Sequence, residues 1–189
     1  MKERKVIYSQ MVSLDGFIED EQGGILWSKP DEVLLSFISE QEHQIDTHLY
    51  GRRTYENMAS YWPFILDSPI ASEEEKRWAR NWLECEKLVF SRVQEIELNW
   101  NSRYVKQELE EEIKELKCRA GGHLSLGGAG LAKTFMDINL VDEFHLYVYP
   151  ILLGKGKRLF PSLNQIKKLK LVDMKRFDSG VLFLNYHLI

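Results

Sequence analysis

The chain has 189 residues, of which 44% are hydrophobic and 29% charged, and its formal net charge is −4 at pH 7. A chain of this length buries about 70% of its unfolded surface, so it can build a core without disulfides or metals, and its ordinary composition excludes intrinsic disorder. The net negative charge gives no long-range attraction to nucleic acid or to an anionic membrane, so neither is an expected partner.

Two cysteines, Cys85 and Cys118, lie far apart in the sequence, and neither belongs to a CxxC pair. This usage indicates neither a disulfide framework nor a zinc site, and it favours a reducing compartment, the cytoplasm. No apolar segment is long enough for export or for crossing a bilayer. No linker, repeat or low-complexity stretch interrupts the sequence, which predicts a single domain over residues 1–189.

The N-terminal part of the chain predicts a strand, a loop and a helix. Residues 5–12 are apolar enough for a buried strand, and turn residues at 13–16 end it. After a glycine-containing loop, residues 31–45 carry apolar side chains at helical spacing, with Asp31 and Glu32 in the first turn. These two carboxylates either complement the helix dipole, which is the plainer interpretation, or supply a carboxyl group that anchors an N-heterocycle or donates a proton.

The middle of the chain repeats the pattern of strand, turn and helix. Residues 47–50 predict a short strand, and Gly51-Arg52-Arg53-Thr54 follows it as the turn that opens a second helix. Two cations and a hydroxyl at a helix start suit a bound phosphate, whereas the alternative is a solvated helix end that Thr54 caps. The pattern then predicts a helix over 73–83, a strand over 87–91 and a helix over 108–117.

The dipeptide Ser91-Arg92 stands directly after the strand segment Leu88-Val89-Phe90. It offers a hydroxyl and a guanidinium at a strand end, where open α/β sheets gather their ligands. One dipeptide is weak evidence alone. Three such features at three strand ends reinforce one another, because the fold brings strand ends together.

The most informative stretch runs from His123 to Ala132, where a short apolar strand enters three glycines and then a helix. Such a turn leaves backbone N–H groups unpaired at the positive end of a helix, so it predicts a phosphate cradle. The alternative is tight packing of strand against helix, which glycine also permits. Lys133 stands where the usual dinucleotide fingerprint needs its third glycine, so a Rossmann-type fold is not specified.

The C-terminal part of the chain predicts strands only. Residues 143–149 alternate apolar and polar side chains, and 168–177 and 180–188 predict two more strands joined by the turn Asp178-Ser179-Gly180. The chain is therefore an α/β protein with a mixed sheet that is covered by helices and finishes in an antiparallel hairpin.

The sequence does not match the motifs of several other functional classes. The segment 153–160 resembles a P-loop only superficially, since no Ser or Thr follows its Gly-Lys pair, and it is either a basic active-site loop or a surface turn. The five histidines form no metal-binding pattern, and the surroundings of Ser125 break the nucleophile-elbow pattern. No metal is therefore expected.

Six short segments together resemble the dihydrofolate-reductase-like superfamily, and within it the group related to the reductase domain of bifunctional riboflavin-biosynthesis enzymes. In chain order they are Ser13-Leu14-Asp15-Gly16-Phe17-Ile18, Gly51-Arg52-Arg53-Thr54-Tyr55-Glu56, Val89-Phe90-Ser91-Arg92, Leu126-Gly127-Gly128-Ala129-Gly130, Leu140-Val141-Asp142-Glu143 and Pro150-Ile151-Leu152-Leu153-Gly154-Lys155-Gly156. They are spread over almost the whole chain, so the combined signal is strong although each segment is weak.

The resemblance implies a three-layer α/β/α fold around a mostly parallel sheet, with NADPH bound across the strand ends. In that arrangement Gly51, Arg52, Arg53 and Thr54 hold the cofactor phosphates, Ser91 and Arg92 flank the adenosine 2′-phosphate, and Ile18 lies beside the nicotinamide. The residues implied to wrap the pyrophosphate are Leu126, Gly127, Gly128, Ala129, Gly130 and Leu131. Arginine forks also suit a dianionic phosphate on chemical grounds, which favours NADPH over NADH.

The resemblance also bears on the substrate. In folate-reducing members an early carboxylate of the first helix contacts the pterin ring, and Asp31 or Glu32 matches that place, with Asp31 preferred, while Asp15 is expected to be structural. No deaminase domain accompanies the chain, which implies a stand-alone NADPH-dependent reductase acting on a small heterocycle, pterin-, pyrimidine- or flavin-precursor-like. A homodimer through the apolar late strands is implied as well. Two alternatives stay open: a non-catalytic NADP(H)-binding module and a Rossmann-type NAD dehydrogenase.

Overall fold

The structure, a computed structural model, describes residues 3–93 and 96–189. The strands of these residues are β1 (Val6–Ser13), β2 (Phe17–Glu19), β3 (Ile45–Gly51), β4 (Glu86–Phe90), β5 (Ser102–Tyr104), β6 (His123–Gly127), β7 (Glu143–Tyr149), β8 (Lys157–Arg158), β9 (Leu169–Arg176) and β10 (Leu182–Leu188). Their α-helices are α1 (Glu32–Glu42), α2 (Arg52–Ala59), α3 (Trp62–Ile65), α4 (Glu73–Glu84), α5 (Leu109–Cys118) and α6 (Ala129–Asp137). Among the described helices, none combines the length and the apolar character that crossing a membrane requires.

The main sheet has eight strands in the order β5-β4-β3-β6-β1-β7-β10-β9. The six strands from β5 to β7 in this order are parallel, whereas β10 is antiparallel both to β7 and to β9. The short strands β2 and β8 pair with each other in a separate antiparallel ribbon. The predicted mixed, mostly parallel sheet with its terminal antiparallel hairpin is thereby confirmed.

Helices cover both faces of the main sheet. One face carries Leu124 and meets α5 and α6, whose Ile113 and Phe135 join the same apolar core. The opposite face meets α1 near the hairpin, through Leu34, and α4 near β3 and β4, through Trp82. The molecule therefore has the three layers that the sequence predicts, with a sheet between two helical layers.

Every strand and helix predicted from the sequence is present, with ends that shift by a few residues. The largest shift is in the first helix, because α1 ends at Glu42 and Ile45 pairs with His123 as the first residue of β3. Ile45 fits both the helical and the strand spacing, and pairing with the sheet decides between them. The strands and α-helices that were not predicted are β2, β5, β8 and α3, which have two to four residues and are too short to show a period.

Candidate functional site

Three strand ends lie side by side at the carboxyl end of the sheet. The strand β3 pairs in parallel with β4 on one side and with β6 on the other, and the register sets Gly51 beside Phe90 and Tyr50 beside Gly127. The turns that follow these strands therefore emerge next to one another, at the end where open α/β sheets bind ligands. The structure brings together the three segments that the sequence singles out.

In the turn after β6, Gly128 is the N-cap of α6 with φ 90° and ψ 124°, and no side chain caps the helix. A Cβ on Gly128 would lie 2.4 Å from Thr54 Oγ1, and a Cβ on Gly127 would lie 2.7 Å from Tyr50 Cε1. Glycine is therefore required both by the left-handed backbone and by close packing. Tight packing is thus present, and the uncapped N–H groups at the helix start also suit an anion.

The turn after β3 is built in a similar way. Gly51 is the N-cap of α2 and no side chain caps this helix, so Thr54 is not the cap that the plainer interpretation of the sequence expects. Thr54 lies instead against the glycine turn of β6. Arg52 and Arg53 occupy the first turn of α2 and are exposed. Two guanidinium groups therefore lie close to two helix starts without side-chain caps.

Ser91 and Arg92 follow β4 directly. The Ser91 hydroxyl donates to the carbonyl oxygen of Val93 and accepts from the Val93 N–H, so it closes a local turn. Arg92 is exposed beside this turn. Its guanidinium adds positive charge at the same end of the sheet as the two arginines of α2, which makes this end suitable for a polyphosphate.

The other residues that the resemblance assigns to cofactor binding differ in how exposed they are to solvent. Leu126 and Ala129 are buried in the apolar core beneath the glycine turn, and Leu131 is half-buried against it. Gly130 is exposed in the first turn of α6, with no other part of the protein within 4 Å of where its Cβ would be. Ile18 lies in β2 with its side chain buried in the same core. These buried side chains support the turn, and a nicotinamide beside Ile18 stays a prediction.

A cleft of about 300 Å³ opens beside the carboxyl end of β7. It is lined by Trp27, Lys29, Asp31, Leu34, Tyr149, Pro150, Ile151, Ser179 and Val181. Since β7 lies next to β1 and β1 next to β6, two strand spacings separate this cleft from the glycine turn. That separation is roughly 10 Å across the sheet. The cleft and the glycine turn are therefore close enough for one extended ligand to reach both.

Asp31 lines this cleft, and Glu32 is not among the described residues that line it. Asp31 is also the N-cap of α1, because its Oδ1 accepts a hydrogen bond of 2.8 Å from the N–H of Leu34. The structure places Asp31 at the helix start, as the plainer interpretation expects, while a role of its carboxyl group toward a substrate stays a prediction. Asp31 fixes the start of the helix, and it also places a negative charge at the cleft.

The cleft has an aromatic wall. The rings of Trp27 and Tyr149 meet edge to face, with centroids 5.8 Å apart. Burial, followed by the charge of Asp31, raises the pKa of Tyr149 far above its usual value, so its phenol remains a hydrogen-bond donor. Tyr149 and Ile151 are not among the site residues predicted from the sequence. Their position at the end of a parallel strand is the signal that indicates them.

Asp15 joins two loops of the site. Its carboxylate accepts hydrogen bonds of 2.6 Å from the Ser13 hydroxyl, 2.7 Å from the Gly154 N–H and 3.2 Å from the Leu153 N–H. The hydrogen bond from Ser13, and then those from the two backbone N–H groups, hold the pKa of Asp15 below its usual value. The turn after β1 is thereby tied to the loop after β7, in a structural role for Asp15.

The described part of the chain contains no group of three His, Cys, Asp or Glu side chains that could hold a metal ion. Its two cysteines are free thiols, Cys85 buried and Cys118 exposed. The candidate site therefore consists of glycine turns, arginines and a cleft with one carboxylate.

The model of the RibD C-terminal domain family matches residues 4–183. The chain belongs to this family. The chain is 37% identical to the uncharacterized protein YyaP of Bacillus subtilis (strain 168), over 99% of this chain and 96% of that protein.

Solved structures share the fold of this chain. A candidate riboflavin biosynthesis protein from Shewanella sp. PV-4 superposes with a TM-score of 0.77 at 24% identity, covering 98% of this chain and 99% of that one. Dihydrofolate reductase from Enterococcus faecalis, complexed with NADP(H) and RAB-propyl, superposes with a TM-score of 0.60 at 15% identity, covering 97% of this chain and 96% of that one. The fold is therefore dihydrofolate-reductase-like, as the resemblance implies.

Replacing Gly128 with alanine tests how tightly the glycine turn is built. We expect Gly128→Ala to lower the free energy of unfolding by about 1–3 kcal/mol, because the new Cβ meets Thr54 and the backbone is left-handed. Gly130→Ala is the matched control, since its Cβ meets open space and alanine favours a helix by up to about 1 kcal/mol. Urea denaturation measures both, and equal stability of the two variants would contradict this description of the turn.

Proposed function

We propose that this protein is an NADPH-dependent reductase that transfers a hydride to a small heterocyclic substrate. The observation that carries the proposal is the convergence of three turns, after β3, β4 and β6, at the carboxyl ends of adjacent parallel strands. Two of these turns start helices without side-chain caps, and two carry arginines. A ligand with several phosphates is the class that such an arrangement suits best.

The arginines support NADPH rather than NADH. Arg92 follows β4, the strand farthest from the cleft among the three whose turns converge, which suits contact with the adenosine end of an extended cofactor. A guanidinium binds a dianionic 2′-phosphate bidentately, and NADH lacks that group. The NADP(H) complex of the structurally similar dihydrofolate reductase supports the same cofactor.

The cleft beside β7 supports a flat, nitrogen-containing substrate. When bound, NADPH supplies the hydride that reduces an unsaturated carbon, such as that of a C=N bond. Trp27 and Tyr149 pack a ring, and the Asp31 carboxylate accepts hydrogen bonds from ring N–H groups and so orients it. The proton that completes the reduction comes from a carboxyl group or from water.

The two alternatives fare differently. A Rossmann-type dehydrogenase is not supported, because the strand order and the structural relatives are those of a dihydrofolate-reductase-like fold. A non-catalytic NADP(H)-binding module would have the same cofactor site, so only a measurement of activity distinguishes it from a reductase. Incubating the protein with NADPH and a panel of oxidised pterins, pyrimidines and flavin precursors tests the proposal. Loss of absorbance at the reduced nicotinamide band with one substrate supports a reductase, and binding without oxidation across the panel supports the module.

Arg92→Ala tests the contact with the 2′-phosphate. We expect it to weaken NADPH binding by about 10- to 100-fold, the usual effect of losing a charge-assisted hydrogen bond, and to leave NADH binding unchanged. Arg119→Ala is the control, because Arg119 is exposed after α5, at the other end of the sheet. Calorimetric titration of both cofactors measures the difference. Equal losses for NADPH and NADH, or no loss for either, would contradict the assigned role.

Asp31→Asn tests the carboxylate of the cleft. Asparagine caps a helix about as well as aspartate, so we expect stability to change by less than about 0.5 kcal/mol. Without the negative charge, kcat/KM for the heterocyclic substrate that receives the hydride should fall by about 10- to 1000-fold. Glu32→Gln removes a neighbouring exposed charge and should leave turnover unchanged. Steady-state rates decide, and an Asp31→Asn enzyme of normal activity would remove Asp31 from the mechanism.

We also propose that two copies associate through β9. This strand is the last of the eight-stranded sheet, and its Leu171, Val172 and Met174 are 44%, 50% and 57% exposed. Edge strands of this length and apolar character pair readily with another strand. An antiparallel pair centred on Met174 would place Asp173 of each copy opposite Lys175 of the other, which makes the edge complementary to itself.

Met174→Lys tests this association by placing two like charges at the centre of the pair. We expect the unaltered protein to sediment as a dimer and the variant as a monomer of unchanged circular dichroism. Lys170→Gln lies on the same strand away from the centre and should leave the dimer intact. A monomer for the unaltered protein at high concentration in sedimentation velocity would reject the proposal.

A further inference from the structure

The two faces of the sheet differ in chemistry at the amino ends of the strands. On the face covered by α5 and α6, buried apolar side chains continue along the strands. On the face covered by α1, the register sets Ser125, Ile7 and Glu143 abreast, and Ser9, His145 and Asn185 form the next row. Polar side chains therefore replace the apolar ones where α1 ends over the sheet.

This polar surface lines a partly open cavity of about 190 Å³ beneath the last turn of α1. Its volume is that of roughly six water molecules in the liquid. Three of its lining residues mark the amino ends of strands, at the opposite end of the sheet from the glycine turns: Lys5 directly precedes β1, and His123 and Glu143 begin β6 and β7. The cavity is thus separate from the candidate cofactor site.

Glu143 already has its partners in this cavity. Its carboxylate accepts a hydrogen bond from the Lys5 ammonium and lies 3.1 Å from His145 Nε2 and 3.0 Å from His187 Nε2. Burial alone would raise its pKa, but these hydrogen bonds and charges lower the pKa of Glu143 to about 2. This carboxylate is ionised and compensated, so it needs no further cation.

Glu42 is different. Its Oε2 is buried and has no hydrogen-bond partner among the described residues, and the same holds for Asn185 Oδ1. Both residues line the cavity. Burial raises the pKa of Glu42 to about 7, and no ion pair opposes that shift. Buried carboxylates are normally paired with a cation, and buried acceptors normally receive a donor, so this half of the cavity lacks both.

We propose that the cavity under α1 binds a small organic cation with several N–H donors, of the guanidinium or ammonium type, held by Glu42 and Asn185. Such a cation would supply the missing charge and the missing donors together, in charge-assisted hydrogen bonds. An anion would meet the carboxyl group of Glu42, which no described cation pairs, and this disfavours an anion. The site requires no cofactor, so it stands or falls independently of the proposed reductase activity.

The first test uses methylguanidinium and ethylammonium as probes, added as chlorides at constant ionic strength to the full-length, isotope-labelled protein. N-methylurea, a neutral molecule of the same shape as methylguanidinium, is the control ligand. We expect saturable amide shifts around Gln41, Ser125 and His145 with at least one cation and not with N-methylurea. No saturable shift with either cation, or equal shifts with N-methylurea, would overturn the proposal and leave a cavity filled by water.

The second test removes the charge at Glu42. We expect Glu42→Gln to weaken binding of the cation by about tenfold or more, because the charge-assisted hydrogen bond is lost. Glu40→Gln, on the same helix but exposed to solvent, is the matched control and should bind as the unaltered protein does. Undiminished binding to Glu42→Gln would contradict the assignment. If that variant does not fold, the comparison of cation with N-methylurea on the unaltered protein decides.

Discussion

The parallel register of β3 with β4 and β6 is the constraint on which the candidate cofactor site depends. It sets Gly51, Phe90 and Gly127 at neighbouring strand ends, so three segments far apart in sequence emerge together. Burial fixes this register, because a shift of one residue in β3 would carry Leu49 out of the apolar core and onto the face that holds His48. The energetics of the core therefore determine the geometry of the site.

The same sheet serves two chemistries at its two ends. At the carboxyl ends, uncapped helix starts and arginines make a surface for phosphates, and the aromatic cleft beside β7 lies within reach of it. At the amino ends, the face under α1 turns polar and encloses a carboxyl group without a counter-ion. The anionic cofactor and the cationic ligand that we propose both rest on this distribution of charge.

The sequence predicted the order and type of all the longer elements, because their periods are clear, and it identified the three turns through their glycines and arginines. It preferred Asp31 to Glu32, but the spacing did not settle the choice, since both stand at the start of α1, and only the packing of that helix shows which one lines the cleft. The sequence also did not identify Tyr149 as a residue of the cleft. An aromatic residue at a strand end has the same sequence pattern in the core and in a cleft, and only its neighbours in the structure distinguish the two. The unpaired oxygen of Glu42 has no sequence signal, because it depends on which side chains α1 and several different strands place around the cavity.

The central claim is that the three turns hold one NADPH molecule, and amide chemical shifts during a titration with NADPH test it most directly. We predict saturable shifts that share one dissociation constant at residues 51–54, 91–92 and 127–131, with smaller or absent shifts for NADH. Shifts confined to one turn, shifts elsewhere on the protein, or no saturable response would contradict the claim.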